Sequence, residues 1–85
     1  MPKSVFTGAH RFLVEALREA RKKAGLTQSQ IAERIGKDQS YISLIEGGQR
    51  RVDTLEFIAL CRAMDADPVK VFRKLVEQVP SKIEV

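Results

Sequence analysis

A row of small, uncharged polar side chains is the part of this sequence whose residue types and spacing best suit specific chemistry. With about 100° between successive residues, the outward arc of a helix over residues 39–46 holds Gln39, Ser40, Ser43 and Leu44. Glutamine can pair bidentately with adenine, and serine can hydrogen-bond to several bases. For this helix alone, two interpretations stay open: an edge that reads bases, and an ordinary solvated polar face.

Two short helices joined through a glycine are predicted to position this row. Thr27 and Gln30 form a capping box, so the second helix of the chain is expected to begin at Gln28 and to end at Gly36. Asp38 is a favourable N-cap for the third helix, which is expected to end at Glu46, just before Gly47 and Gly48. The core-facing residues of the third helix are predicted to be Tyr41, Ile42 and Ile45, with Glu46 at their edge.

Caps and apolar periodicity predict three further helices and no strands. The first runs from about Gly8 to a stop at Gly25, the fourth follows the N-cap Asp53, and the fifth follows Asp67 and closes near Val79. We expect one domain over residues 8–79, with flexible ends at 1–7 and 80–85. The core face of the fourth helix is predicted to consist of Leu55, Ile58, Ala59, Ala63 and Met64, and Cys61 to be a small core side chain.

Composition narrows the classes of function. The 85 residues carry a net charge of +4, which suits a polyanionic partner but is equally typical of solubilising charge. One histidine and one cysteine, with no metal-ligand spacing and no glycine-rich phosphate loop, predict a protein that is not an enzyme and has no metal, cofactor or small-molecule site. No signal peptide or bilayer-spanning segment is apparent, so the sequence predicts a cytoplasmic protein without a membrane partner.

Residues 26–48 carry a family resemblance. The stretches LTQSQIAERIG at 26–36, QSYIS at 39–43 and IEGG at 45–48 closely resemble the lambda-repressor-like, or Xre-type, helix-turn-helix family, and the match covers roughly residues 13–75. The resemblance implies a compact all-α domain of five helices, in which helices two and three form the helix-turn-helix and helix three enters the major groove of DNA. It is typical of prokaryotic or phage regulators.

The resemblance also implies base-reading and structural roles for individual residues. Gln39, Ser40 and Ser43 match base readers of the family. Leu44 departs from the pattern, since that position is often polar or basic; this side chain contacts a thymine methyl or merely lies at the edge of the groove. Arg21 and Glu46 match an ion pair that would fix the third helix against the first.

Phosphate contacts are implied on either side of the row. Gln28, in the first turn of the second helix, matches the phosphate anchor of the family. The loop after the third helix matches a phosphate-binding loop, although Val52 replaces a proline common in relatives. The further phosphate contacts predicted are Gln49, Arg50, Arg51 and Lys37.

The function predicted is a sequence-specific regulator of transcription that binds double-stranded DNA, with repression by promoter occupancy as its simplest outcome. A homodimer is expected on a pseudo-palindromic operator; its surface would come from Phe72, Val76, Val79 and Ile83, unless these finish the core. We expect no effector domain beyond residue 85, so ligand sensing is expected to come from a partner. Two alternatives stay open: an antitoxin, for which only residues 1–7 and 80–85 are available to bind a toxin, and a protein-interaction module on the same fold.

Overall fold

The computed structural model describes residues 8–83 and contains five α-helices and no strand in that range. This confirms the predicted all-α fold. The predicted flexible segment 1–7 lies outside the described residues, as do residues 84 and 85. The helices are α1 His10–Lys23, α2 Gln28–Arg34, α3 Gln39–Glu46, α4 Thr54–Ala63 and α5 Pro68–Gln78.

The helix starts follow the capping chemistry of the sequence. Thr27 accepts a hydrogen bond from Gln30 N (3.1 Å), and the Gln30 side chain accepts one from Thr27 N (2.8 Å), so the capping box of α2 is complete. Asp53 and Glu56 form the same box at the start of α4. At α3 the prediction holds only in part, because Asp38 occupies the N-cap position but makes no side-chain capping hydrogen bond.

The turn between α2 and α3 depends on one backbone conformation. Gly36 has φ +70°, and the N–H of the next residue, Lys37, donates to Ala32 O (2.8 Å) across the end of α2. This is a Schellman ending, in which the residue after the C-cap takes a left-handed conformation that glycine adopts without steric cost. At the end of α4 the same position is taken by Asp65, with φ +55°.

The core is built where α1 to α4 meet. Ile31 and Ala32 of α2 and Ile42 and Ile45 of α3 are buried, as the helical spacing of both helices requires. Cys61 of α4 is completely buried, and this burial raises the pKa of its thiol to about 11. The other buried apolar residues of the described chain are Val14, Leu17, Phe57, Leu60 and Met64.

The predicted core face of α4 is confirmed at Met64, which is buried, and at Ala63, which packs against the core, but it is wrong at Leu55 and Ala59. Leu55 is 77% exposed, and Ala59 is also exposed. The capping box at Asp53 fixes where the helix begins and so places Phe57 four residues on, in the core cluster against which Val52 also packs. The buried face therefore continues from Phe57 through Leu60, Cys61 and Met64.

Helix α5 packs over one side of the core and stays partly exposed along its length. None of its residues is fully buried; Val71 and Leu75 are half-buried on the inner side, and the Phe72 ring meets the Phe57 ring edge to face at 6.2 Å. Val69 and Val76 point away from the core and are more than half exposed. Across residues 8–83, no helix combines the length and the apolar character that crossing a bilayer requires.

The conformation of Gly36 gives a stability prediction. A Cβ at this position would meet no atom within 4 Å, so Gly36→Ala should cost about 1 kcal/mol of unfolding free energy for conformational reasons alone. Gly36→Asn should cost less, because asparagine tolerates the left-handed region. Urea unfolding of the three proteins measures the difference, and an alanine variant as stable as the parent would contradict the role given to this turn.

Candidate nucleic-acid interface

The predicted polar row lies on the outer side of α3. Gln39, Ser40 and Ser43 are exposed, and Leu44 is 42% exposed, while Ile42 and Ile45 on the opposite side are buried. Four residues, 35–38, connect α2 to α3, which is the short linkage that a helix-turn-helix requires. The outward row carries no charged side chain, so it can form directional hydrogen bonds without attracting every phosphate.

A buried carboxylate joins the third helix to the first. Glu46 is only 7% exposed, and it forms a two-pronged ion pair with Arg21, in which Nε lies 2.7 Å from Oε2 and Nη2 lies 2.9 Å from Oε1. Arg21 Nη1 also donates to the carbonyl oxygen of Leu26 (3.0 Å), just before α2. One guanidinium therefore connects α1, the start of α2 and the end of α3.

Burial and hydrogen bonding act in opposite directions on this carboxylate. Burial by itself raises the pKa of Glu46, but the hydrogen bonds from Arg21 and Gln28 outweigh it, so that the pKa lies below its ordinary value. Glu46 is therefore ionised at neutral pH. Arg18, which the sequence analysis did not single out, donates from Nη2 to the backbone oxygen of Glu46 (2.9 Å) and so caps the end of α3.

Gln28 connects this ion pair to the outward row. Its Nε2 donates to Glu46 Oε1 (3.1 Å), and its Oε1 accepts a hydrogen bond from Gln39 Nε2 (2.6 Å). Gln28 is half-buried, so the predicted phosphate anchor also holds the first residue of the row. At the neighbouring position, the Ser40 hydroxyl donates to Asp38 Oδ2 (2.6 Å), which lowers the pKa of Asp38.

The other side of α3 is held by an aromatic and ionic cluster. The Tyr41 hydroxyl donates to Glu56 Oε2 (2.9 Å), and Arg50 Nη2 donates to the same oxygen (2.9 Å). The Arg50 guanidinium also lies 4.5 Å from the centre of the Tyr41 ring, a cation–π distance. The hydrogen bonds from Arg50 and from Asp53 N lower the pKa of Glu56 to about 2.

The predicted phosphate-contacting residues therefore differ in their surroundings. Arg51 and Lys37 are exposed, and the Lys37 ammonium lies 5.5 Å from the centre of the Tyr41 ring. Arg50 and Gln49 are half-buried, and Arg50 donates one hydrogen bond to Glu56 and one to the Arg51 carbonyl oxygen. All four lie just before or after α3, at its two ends.

Comparison with known proteins gives a consistent result. The sequence model of a family described as helix-turn-helix matches residues 17–71. An Xre-family-like protein from Pseudomonas syringae is 39% identical, with a TM-score of 0.79 over 85% of this chain and 88% of that one. The restriction-modification controller protein C.AhdI from Aeromonas hydrophila is 36% identical, with a TM-score of 0.65 over 75% of this chain and 96% of that one.

A curated relative is much longer than this chain. The propionyl-CoA carboxylase regulator of Cereibacter sphaeroides is 35% identical over 63 residues. The match covers 74% of this chain but only 14% of the relative. The likeness therefore concerns one domain of that protein.

Removing Arg21 should destabilise the domain strongly. Arg21→Ala leaves the buried Glu46 without its principal partner, and we expect a loss of about 3 kcal/mol of unfolding free energy. The exposed ion pair between Lys74 and Glu19 provides the control, because Lys74→Ala should cost less than about 1 kcal/mol. Thermal and urea unfolding compare the two variants, and equal small losses would show that the buried pair does not stabilise the packing.

Acid should expose the contribution of Glu56. Because its pKa is about 2 in the folded chain against an ordinary value of 4.5, its stabilising effect is complete above pH 4.5 and is lost as the pH falls toward 2. In Glu56→Gln, the decline of unfolding free energy between about pH 5 and pH 2 should be shallower than in the parent protein. The control is Glu33→Gln, which makes the same chemical change at an exposed position of α2, and a decline as shallow as that of Glu56→Gln would contradict the assignment to Glu56.

Proposed function

The chain belongs to the Xre-type helix-turn-helix family, and from this we propose that it is a cytoplasmic regulator of transcription that binds double-stranded DNA sequence-specifically. Helix α3 reads base edges in the major groove, and occupation of a promoter represses transcription. The observation that carries the proposal is the exposed, uncharged row of α3, held in place by Glu46 on one side and by the Tyr41 cluster on the other.

Base reading fits the hydrogen-bonding capacity that the row retains. Gln39 uses one N–H on Gln28 and keeps its carbonyl oxygen and a second N–H, which is the donor and acceptor pair that adenine requires. Ser40 donates its hydroxyl hydrogen to Asp38, so its remaining capacity is to accept from a base amino group. Ser43 is exposed one turn after Gln39 and completes the polar edge.

Phosphate binding is proposed for the residues that flank the row. Gln28 lies in the first turn of α2, where the helix dipole favours an anion. Arg51 and Lys37 offer exposed cations, while Arg50 and Gln49 belong to the loop that follows α3. These contacts orient the protein on DNA without specifying sequence, because every nucleotide carries the same phosphate.

The experiment that tests the function is a selection from random DNA duplexes, with affinity then measured at several salt concentrations. A two-fold motif with half-sites about one helical turn apart is the expected result. Recovery of no motif, with binding that is independent of sequence, would contradict the proposal. Failure to bind any duplex at low salt would favour a protein-interaction module on the same fold.

Two variants should separate base reading from phosphate binding. Gln39→Ala should weaken binding to the selected site by about 1 to 3 kcal/mol and relax the preference at one base pair. Arg51→Ala should weaken binding to all sequences alike and lower the salt dependence by about one phosphate contact. Titrations on the selected site and on a scrambled duplex measure both effects, and an unchanged base preference in Gln39→Ala would contradict its role as a reader.

A homodimer is proposed through the outer side of α5. Val69, Phe72 and Val76 recur at helical spacing, and each is more than half exposed. Arg73 and Glu77 border this stripe with opposite charges. A two-fold arrangement packs the stripe of one copy against the same stripe of the other and places each charged side chain beside one of opposite charge. A second copy of the chain therefore covers the apolar residues and pairs the charged ones.

A charge placed in the α5 stripe should separate the two copies. Val76→Asp should weaken association by roughly tenfold or more, because the carboxylate would be desolvated in the interface. Gln78→Asp changes an exposed residue on the opposite side of α5 and serves as the control. Sedimentation velocity over a concentration series measures both, and an unchanged dimer in Val76→Asp would place the interface elsewhere.

A further inference from the structure

We infer that Leu44 recognises the C5 methyl group of a thymine in the operator, as a specificity-determining residue distinct from Gln39. The inference rests on the proposed DNA-binding function. Leu44 is the apolar member of an otherwise polar outward row, and 42% of it is exposed. A lone exposed leucine is common on protein surfaces, but Leu44 lies within the row that α3 presents to a partner, beside Ser40 and Ser43.

The surroundings of Leu44 argue against a protein partner at this position. Its neighbours on α3 at one turn's spacing are Ser40, Gly47 and the half-buried Tyr41, whose ring is covered by the Arg50 guanidinium. The other exposed large apolar residues of the described chain belong to α4, α5 and the segment after α5. A stable protein interface buries roughly 800 Å² on each side, far more than a lone leucine provides.

The backbone holds Leu44 in a fixed place. Its carbonyl oxygen accepts hydrogen bonds from Gln49 N (2.9 Å) and Arg50 N (3.2 Å), so the loop closes directly onto this residue. The next residue along, Ile45, is almost completely buried and fixes the rotation of the helix. The Leu44 side chain is thus presented from a rigid base, as selective contact with one small group requires.

The major groove offers one apolar group of matching size. Among the base edges, only that of thymine carries a methyl group, and an apolar side chain distinguishes it from cytosine by contact. Leu44 lies five residues after Gln39, which is about 7.5 Å along the helix axis and about 140° around it, so the two side chains leave α3 at separate points. Leu44 therefore reads a different base pair from Gln39 within the same half-site.

Deoxyuridine tests the inference, because it differs from thymidine only in lacking this methyl group. Each thymine of the selected operator is replaced by deoxyuridine, at matching positions of both half-sites, and the dissociation constant is measured. Wild-type protein should lose about fourfold in affinity per half-site at one thymine position. Leu44→Ala and Leu44→Gln should bind the thymine and uracil duplexes equally at that position.

The controls distinguish methyl recognition from a general loss of binding. Arg51→Ala removes a proposed phosphate contact, so it should weaken binding to both duplexes and keep the wild-type ratio of thymine to uracil affinity. Thermal unfolding verifies that both Leu44 variants are folded. A motif without any methyl-sensitive thymine, or an unchanged ratio in both Leu44 variants, would overturn this inference alone. Recovery of no motif in the selection would overturn the proposed function and this inference together.

Discussion

The buried carboxylate of Glu46 is the constraint on which the arrangement of the helices depends. A carboxylate in an apolar core is costly unless partners replace the water it has lost. Arg21 and Gln28 donate to this group, and Arg18 reaches both its carboxylate and its backbone oxygen. These partners belong to α1 and α2, so α3 cannot rotate or slide without leaving a charge unsatisfied in the core.

This constraint extends to the outer surface of α3. The hydrogen bond from Gln39 to Gln28 places one member of the polar row two steps from the ion pair of Glu46. On the far side, Tyr41 is held by Glu56 and covered by Arg50, which also closes the loop before α4. The exposed row thus lies between two sets of fixed contacts, and its side chains start from defined positions when they meet a partner.

Local patterns in the sequence predicted most of the fold, because they involve residues within one turn of each other. The capping boxes at Thr27 and Asp53, the turn at Gly36 and the outward placement of Gln39 and Ser43 are all of this kind. Part of the core face of α4 was missed, at Leu55 and Ala59, since two apolar faces compete in its sequence and packing against the other helices buries the one that contains Phe57.

Contacts between distant segments were beyond the reach of these patterns. The sequence does not show that Arg50 turns toward Tyr41 and Glu56, or that Gln28 bonds to Gln39. One feature of the sequence could have indicated the contact of Arg18 with Glu46: Arg18 lies one turn before Arg21, on the same side of α1. The pairing of Arg21 with Glu46 was the exception, and it was available only because the resemblance to a family supplied it.

Because Cys61 is completely buried, the reactivity of its thiol can report when the core of the domain opens. A thiol-modifying reagent needs an accessible thiolate, whereas this thiol is 0% exposed and burial raises its pKa to about 11. Modification must therefore wait for the core to open, and when opening and closing are fast its rate measures the free energy of that opening. Because a ligand that binds only the folded chain stabilises it, slower labelling in the presence of a DNA duplex would register binding at the native cysteine, without a cysteine introduced by mutation.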